Sequence, residues 1–189
     1  MTVAEATDAW SGPLHVVFDR IDDAPRCSAL LDIWKIARGD IAVASRSALD
    51  PVVLAKAGLL PHVWIIERDG DGGFFYRLIG ESVRRNFNSA LRGRYLHEIY
   101  DGATAGTIAQ RCVRMLANRE MMFASGLVFR DGDPTYYARR ILLPLCDDNG
   151  VVRFLIGALD QSVRGSDIER SGNPRFAHDF LAFVGVESV

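Results

Sequence analysis

The residues of this chain that could do chemistry are few and lie far apart. The four histidines are His15, His62, His97 and His178. His97 precedes Glu98, and such a pair could transfer protons or bind a metal. No second and third ligand follow at metal-binding spacing, so a surface or capping role is favoured and we predict no metal site.

The cysteines give no chemical motif either. Cys27, Cys112 and Cys146 are odd in number and widely spaced. They therefore fit neither a disulfide framework nor a CxxC metal site. We expect reduced thiols in a cytoplasmic protein.

Other local clusters also have simple structural interpretations. Asp147-Asp148 belongs to a turn, and Gly70 to Gly73 lacks the strand-to-helix context of a phosphate-binding loop. Arg84-Arg85 and Arg92 to Arg94 are typical of a solvated surface. Because no nucleophile, base and orienting group come together, we predict that the protein is not an enzyme, which leaves an enzyme of unknown class as a remote alternative.

Charge and hydropathy argue against several further classes of protein. The chain has 189 residues, 49% of them hydrophobic, and a net charge of −2. This balance gives no electrostatic reason to expect nucleic acid or an anionic membrane as partner. No run of 18 apolar residues could span a bilayer, and the first residues lack the pattern of a secretory signal.

Elements that could position these residues follow from periodicity. Apolar residues at three- and four-residue steps predict helices over residues 26–38 and 101–120, and Asp50-Pro51 predicts a helix start. Strands are predicted over residues 62–68, 74–80, 121–130, 136–145 and 151–159, with a possible short strand at 14–18. Short helical turns suit residues 81–100, residues 164–175 look like a linker, and residues 176–184 suit a short amphipathic helix.

The order of these elements, and several short motifs, resemble a single-domain family of the PAS superfamily that is common in alphaproteobacteria. The motifs are Leu31-Asp32-Ile33-Trp34, Arg38-Gly39, Ser45-Arg46, Asp50-Pro51, Leu60-Pro61, Tyr76-Arg77-Leu78-Ile79-Gly80, Gly93-Arg94 and Leu142-Leu143-Pro144-Leu145. The resemblance implies an α+β fold, namely a PAS-like five-stranded antiparallel sheet with a helical insert, preceded by N-terminal helices. We divide the chain into an extension (1–25), the PAS-like domain (26–163, with its core at 62–163) and a tail (164–189).

That resemblance also implies a stand-alone sensory or signalling module without catalysis. The residues that flavin, haem and covalent-chromophore PAS sensors require are not found here, so no cofactor is identifiable beyond a possible unidentified small molecule. We expect no output domain in the residues after Val163, so a signal would leave through a surface.

Two non-enzymatic hypotheses remain open. In the first, a small molecule binds between the sheet and the 101–120 helix, and the ligand-pocket candidates are Tyr76, Leu78, Ile108, Cys112, Met115, Tyr136 and Leu143. For the tyrosines and Cys112, a purely structural role in the core is at least as well supported.

In the second hypothesis the module binds no ligand and acts by homodimerisation or by docking to a signalling protein. The outer sheet face or the N-terminal helices would serve as its surface, and the interaction candidates are Trp34, Arg46, Phe176 and Phe180. For Arg46 and Asp50 we favour a local structural role, with Asp50 as a helix cap. Size-exclusion chromatography with light scattering distinguishes a dimer from a monomer.

Overall fold

The structure, a computed structural model, describes residues 9–85, 87, 90–130, 133–163 and 176–189. For 127–130, 133–136, 162, 163, 176 and 177 it describes the backbone alone. The α-helices in these ranges are α1 (Leu14–Asp22), α2 (Pro25–Arg38), α3 (Pro51–Lys56), α4 (Glu81–Arg84), α5 (Leu96–Ile99) and α6 (Gly102–Asn118). The strands are β1 (Val63–Arg68), β2 (Phe74–Ile79), β3 (Glu120–Arg130), β4 (Asp133–Cys146), β5 (Val152–Val163) and β6 (Phe176–Gly185).

The six described strands form one antiparallel sheet in the order β2-β1-β5-β4-β3-β6. Period-two alternation gives the sheet two apolar faces. On β4, Ile141 and Leu143 join the core beneath α1 and α2, which we call the outer face. Leu142 joins the core beneath α4, α5 and α6, which we call the inner face. Helices cover both faces, so the sheet is the middle layer.

Carboxylates fix where the main helices begin. Asp101 accepts the backbone N–H of Thr104 at 2.9 Å at the start of α6, and Asp50 accepts that of Val52 at 2.7 Å at the start of α3. These side chains satisfy donors that a helix N-terminus leaves unpaired. The predicted capping role of Asp50 is therefore confirmed.

The start of α2 is capped from a distance. Its own N-cap residue, Ala24, offers no side-chain acceptor. Asp160 on β5 instead accepts the backbone N–H groups of Arg26 at 2.8 Å and Cys27 at 3.1 Å, and also pairs with the Arg26 guanidinium. A sheet residue therefore orients α2 on the outer face.

Two predictions at the ends of the chain are wrong. Residues 14–18 belong to helix α1 rather than a strand, because Val17 and Ile21, four residues apart, are both buried on one side of that helix. Residues 176–184 form strand β6 rather than a helix. Phe180, Ala182 and Val184 alternate onto the outer face, which is the spacing of a strand.

The strand β6 also changes the predicted five-stranded sheet to six strands. It pairs with β3 from Glu120–Gly185 to Val128–Phe176, and so extends the sheet beyond β3. The predicted linker at 164–175 lies outside the described residues.

The outer face does not present a free surface for a partner. Trp34 on α2 is fully buried there and donates its indole N–H to the carbonyl of Pro144 at 2.8 Å. Phe180 is also buried, 4% exposed. The expectation that these two residues contact a partner is therefore wrong, because both belong to the core.

Candidate functional site

A cavity of about 110 Å³ lies between the inner face and α6. Its lining comes from the sheet, from α4 and α6, and from the segments that join β2 to α6. The lining residues are Trp64, Ile66, Tyr76, Val83, Phe87, Tyr100, Ile108, Arg111, Cys112, Met115, Met122, Ala138, Arg140, Leu142, Leu159 and His178. Most of these side chains are apolar, and the polar ones include a pair of tyrosines and a group of basic side chains.

Trp64 and Gly157 shape part of the cavity wall. They face each other across β1 and β5, and a Cβ atom on Gly157 would overlap the Trp64 indole. Glycine at this position therefore lets the indole lie against the sheet backbone. Trp64 therefore forms part of the cavity wall and does not fill the cavity.

One polar group is a pair of tyrosines. The hydroxyls of Tyr76 and Tyr100 lie 2.9 Å apart and share a hydrogen bond. Burial, followed by the neighbouring Tyr100, raises the pKa of Tyr76 well above its usual value. Tyr76 is therefore a neutral hydroxyl at physiological pH, able to donate or accept a proton in a hydrogen bond but not to act as a base.

The other polar group consists of Arg111 on α6, Arg140 on β4 and His178 on β6; we call it the basic cluster. The Arg111 Nη1 lies 2.8 Å from His178 Nε2, and the Arg140 Nη2 lies 3.4 Å from His178 Nδ1. The imidazole is thus held between two guanidinium groups. Ion pairs within the described residues include none between Arg111 and a carboxylate.

A β-bulge aims His178 into the cavity. In the β3–β6 pairing Ser125 faces Phe180 and Gly126 faces His178, so Asp179 is an extra residue. Asp179 accepts hydrogen bonds from Ser125 Oγ and Tyr137 Oη, both at 2.7 Å. A bulge reverses the face on which the preceding side chain lies, and His178 therefore joins the inner face.

The cluster favours the neutral form of its histidine. Burial, followed by the charges of Arg140 and Arg111, lowers the pKa of His178 to about 3, and the nearby Asp179 opposes this shift only partly. At physiological pH the cluster therefore comprises two cations around a neutral imidazole. Burial also lowers the pKa of Arg111.

The cysteines are unsuited to nucleophilic chemistry. All three are free and buried. Burial raises the pKa of Cys112 to about 12, and that of Cys27 still further. A thiol that stays protonated at neutral pH is a poor nucleophile and a poor metal ligand. Among the described residues no group of three or more His, Cys, Asp or Glu side chains could hold a metal ion.

Comparison with known families agrees with this architecture. A family model described as a PAS domain matches residues 23–160, well over half of the chain. The chain belongs to the PAS-domain family. No curated protein matches it. The PAS sheet carries the additional strand β6, and the N-terminal helices pack on it. No helix in the described ranges is long and apolar enough to cross a membrane.

Four of the seven pocket candidates predicted from the sequence line the cavity of this PAS domain. They are Tyr76, Ile108, Cys112 and Met115. The side chain of a fifth candidate, Tyr136, lies outside the described residues. Whether any of these side chains contacts a ligand stays a prediction.

The remaining two pocket candidates, Leu78 and Leu143, lie elsewhere in the PAS sheet. A register shift in the β1–β2 pairing makes Arg77 an extra residue, so Leu78 faces Ile65 and is 39% exposed. Leu143 packs in the outer-face core. Leu142 lines the cavity. Because successive side chains of a strand point to opposite faces, Leu143 lies on the other side of β4.

The basic cluster was missed from the sequence. Arg111 lies three residues after Ile108, on the helical stripe that lines the cavity. Arg140 precedes Leu142 by two residues and so shares its face. His178 had no comparable signal, because its direction depends on the bulge at Asp179.

Among the other candidates, Arg46 and His97 lie at the surface, and whether Arg46 or Phe176 contacts a partner stays a prediction. Arg46 is exposed, and its guanidinium lies 5.2 Å from the centroid of the Phe154 ring. His97 is exposed and stacks on Tyr95, while Glu98 accepts the backbone N–H of Tyr95 at 2.7 Å. Phe176 has only its backbone described.

Proposed function

We propose that this PAS domain is a non-enzymatic sensory module that binds a small molecule in the cavity between its sheet and α6. The observation that carries the proposal is the cavity itself, which has a mostly apolar wall and a few polar side chains. Concave apolar sites with a few polar groups are the usual form of small-molecule sites. The protonated Cys112 thiol and the neutral Tyr76 hydroxyl in the cavity wall are unsuited to act as nucleophile or base.

The elements around the cavity suggest how binding would become a signal. The basic cluster joins α6, β4 and the outermost strand β6, so one ligand would contact three elements at once. A ligand shifts a conformational equilibrium only by its different affinity for the two states. An occupant that contacts β6 and α6 together would favour the arrangement in which they are close.

Filling the cavity tests this proposal. Ala138 lines the cavity and is 1% exposed, so Ala138→Leu should occupy part of the space. Ala55, exposed on α3, provides the matched control Ala55→Leu. We expect a metabolite panel to raise the melting temperature of the wild-type protein and of Ala55→Leu, but not of Ala138→Leu.

Native mass spectrometry of protein purified from cells gives an independent measurement, since a bound species adds its mass to the chain. No bound species in native spectra, together with no thermal shift across the panel, would reject ligand binding.

A homodimer and a docked signalling protein stay predictions of the second hypothesis. The outer sheet face is covered, so the helical surface is the better candidate for such contacts. Ile36 on α2 is 82% exposed and Ile41 just after it 55%. Light scattering on the eluting protein decides between monomer and dimer.

A further inference from the structure

The hydrogen-bonding chemistry of the basic cluster points to a particular kind of ligand. Arginine only donates hydrogen bonds, and a neutral imidazole has a single acceptor nitrogen. His178 therefore cannot accept from Arg111 and Arg140 at the same time. The shorter contact, 2.8 Å to Arg111, assigns the acceptor to Nε2 and places the ring proton on Nδ1.

In this tautomer a hydrogen-bond donor of His178 faces a hydrogen-bond donor of Arg140. The Nδ1–H of His178 faces the Arg140 Nη2 at 3.4 Å, which is long for a hydrogen bond between nitrogens. An oxygen anion placed beside these two groups would accept from both. Arg111, Arg140 and His178 line the same cavity, so an anion in the cavity would lie within reach of the donors of all three side chains.

Charge supports the same conclusion. Arg111 is partly buried, its one hydrogen-bonding partner within the described residues is the neutral His178, and no carboxylate there pairs with it. A cation removed from water without a counterion is costly. A ligand anion would supply that counterion. Guanidinium groups match the planar, two-oxygen geometry of a carboxylate.

The size of the cavity limits the rest of the ligand. An apolar cavity of about 150 Å³ in another protein accommodates benzene. The cavity here is about 110 Å³ and is walled by Trp64, Met115 and Leu142, among others. An apolar body about the size of one ring or a short alkyl chain fits such a space.

We propose that this site binds a compact monocarboxylate, with its apolar body in the cavity and its carboxylate among Arg111, Arg140 and His178. The proposal rests on the ligand-binding function above and adds the chemical class. Binding needs no covalent step, because the carboxylate only accepts hydrogen bonds from the cluster.

Matched anionic and neutral probes test the class. Benzoate and benzamide, and hexanoate and hexanamide, differ mainly in the charge of the head group. Isothermal titration calorimetry on the full chain should give affinities about 10- to 100-fold higher for the acids, the usual range for a hydrogen bond to a charged group. Equal affinities for acid and amide would overturn the carboxylate proposal and leave ligand binding itself intact.

Two variants with the same change in net charge test whether benzoate binds at Arg111. Arg111→Met removes the cationic head from the cavity, whereas Arg92→Met removes one from an exposed turn. We expect Arg111→Met to bind benzoate at least about tenfold more weakly, and Arg92→Met to bind it like the wild-type protein. An equal loss in both variants would assign the effect to overall charge and reject the site.

A measurement on the wild-type protein covers the case in which Arg111→Met does not fold. The ring carbon and proton resonances of His178 should shift more at saturating benzoate than at the same concentration of benzamide, because an anion beside Nδ1 polarises that N–H. No shift at His178 at saturating benzoate, or no binding of any of the four probes, would overturn the proposal. The metabolite panel and native mass spectra then decide separately whether another class of ligand binds.

Discussion

Single residues in this protein derive their properties from what surrounds them rather than from their type. His178 and His97 are both histidines, yet one lies between two guanidinium groups and the other stacks on Tyr95 at the surface. Burial and the two guanidinium groups lower the pKa of His178 to about 3. The same contrast separates Arg111, which lines the cavity, from the exposed Arg92.

The lowered pKa of His178 predicts how stability depends on pH. On acidification the unfolded chain takes up this proton from about pH 6.5, while the folded protein takes it up only near pH 3. The free energy of unfolding should therefore fall with pH across this window, by up to about 1.4 kcal/mol between pH 7.5 and 5.5. Burial is the largest cause of the lowered pKa; the charges of Arg140 on β4 and Arg111 on α6 add to it, and that of Asp179 on β6 opposes it.

Urea unfolding of the wild-type protein and His178→Gln at both pH values measures the effect. The variant lacks the titrating group, so it should lose less stability on acidification, while all other carboxyl groups and histidines contribute equally to both proteins. An identical loss in the two proteins would contradict the lowered pKa.

Two elements of this structure, α2 and β6, are held by side chains of other elements. Helix α2 has no side-chain cap of its own, and Asp160 on β5 accepts its first free N–H groups. Similarly, the bulge on β6 is held by Ser125 on β3 and Tyr137 on β4. Local propensity predicts α2 but gives no information on what fixes its position.

Removal of the distant cap should loosen α2. Asp160→Ala deprives two backbone donors of their acceptor, and the loss of an N-cap costs about 1–2 kcal/mol. The matched control is Asp32→Ala, which removes the same charge from an exposed position on α2. Thermal and urea denaturation should show a clear loss for Asp160→Ala and little change for Asp32→Ala. Equal stability of the two variants would argue against the cap.

The described residues form three layers, and β6 is the edge strand of the sheet in the middle layer. The family match ends at residue 160, but β6 lies beyond it, covers the edge of β3 and supplies His178. Phe180, Leu181 and Val184 of this strand are all buried. The fold therefore extends past the segment by which the family is recognised.

Truncation after Val163 tests this extent. The shortened chain exposes the edge of β3 and the apolar surface beneath β6, and an exposed apolar edge favours association between chains. We expect a broad, weakly cooperative unfolding transition and aggregates in light scattering. A sharp transition at the full-length midpoint would show that β6 contributes nothing to stability.

The sequence by itself determined the α+β class, the helices α2, α3 and α6, and the strands β1 to β5. These elements could be predicted because their signals are local: helical or alternating spacing, Asp-Pro at a helix start, and Asp-, Asn- and Gly-rich turns. The same local patterns identified Tyr76, Ile108, Cys112 and Met115, which line the cavity.

Only the tertiary structure decided the rest. β6 forms as a strand because the free edge of β3 and the outer-face core accept it, although its apolar spacing also suits a helix. The faces of Leu78 and His178 depend on single extra residues, Arg77 and Asp179, and one extra residue reverses every side chain of a strand from that point on. Arg111, Arg140 and His178 meet because three elements pack together, a proximity that no spacing along the chain specifies.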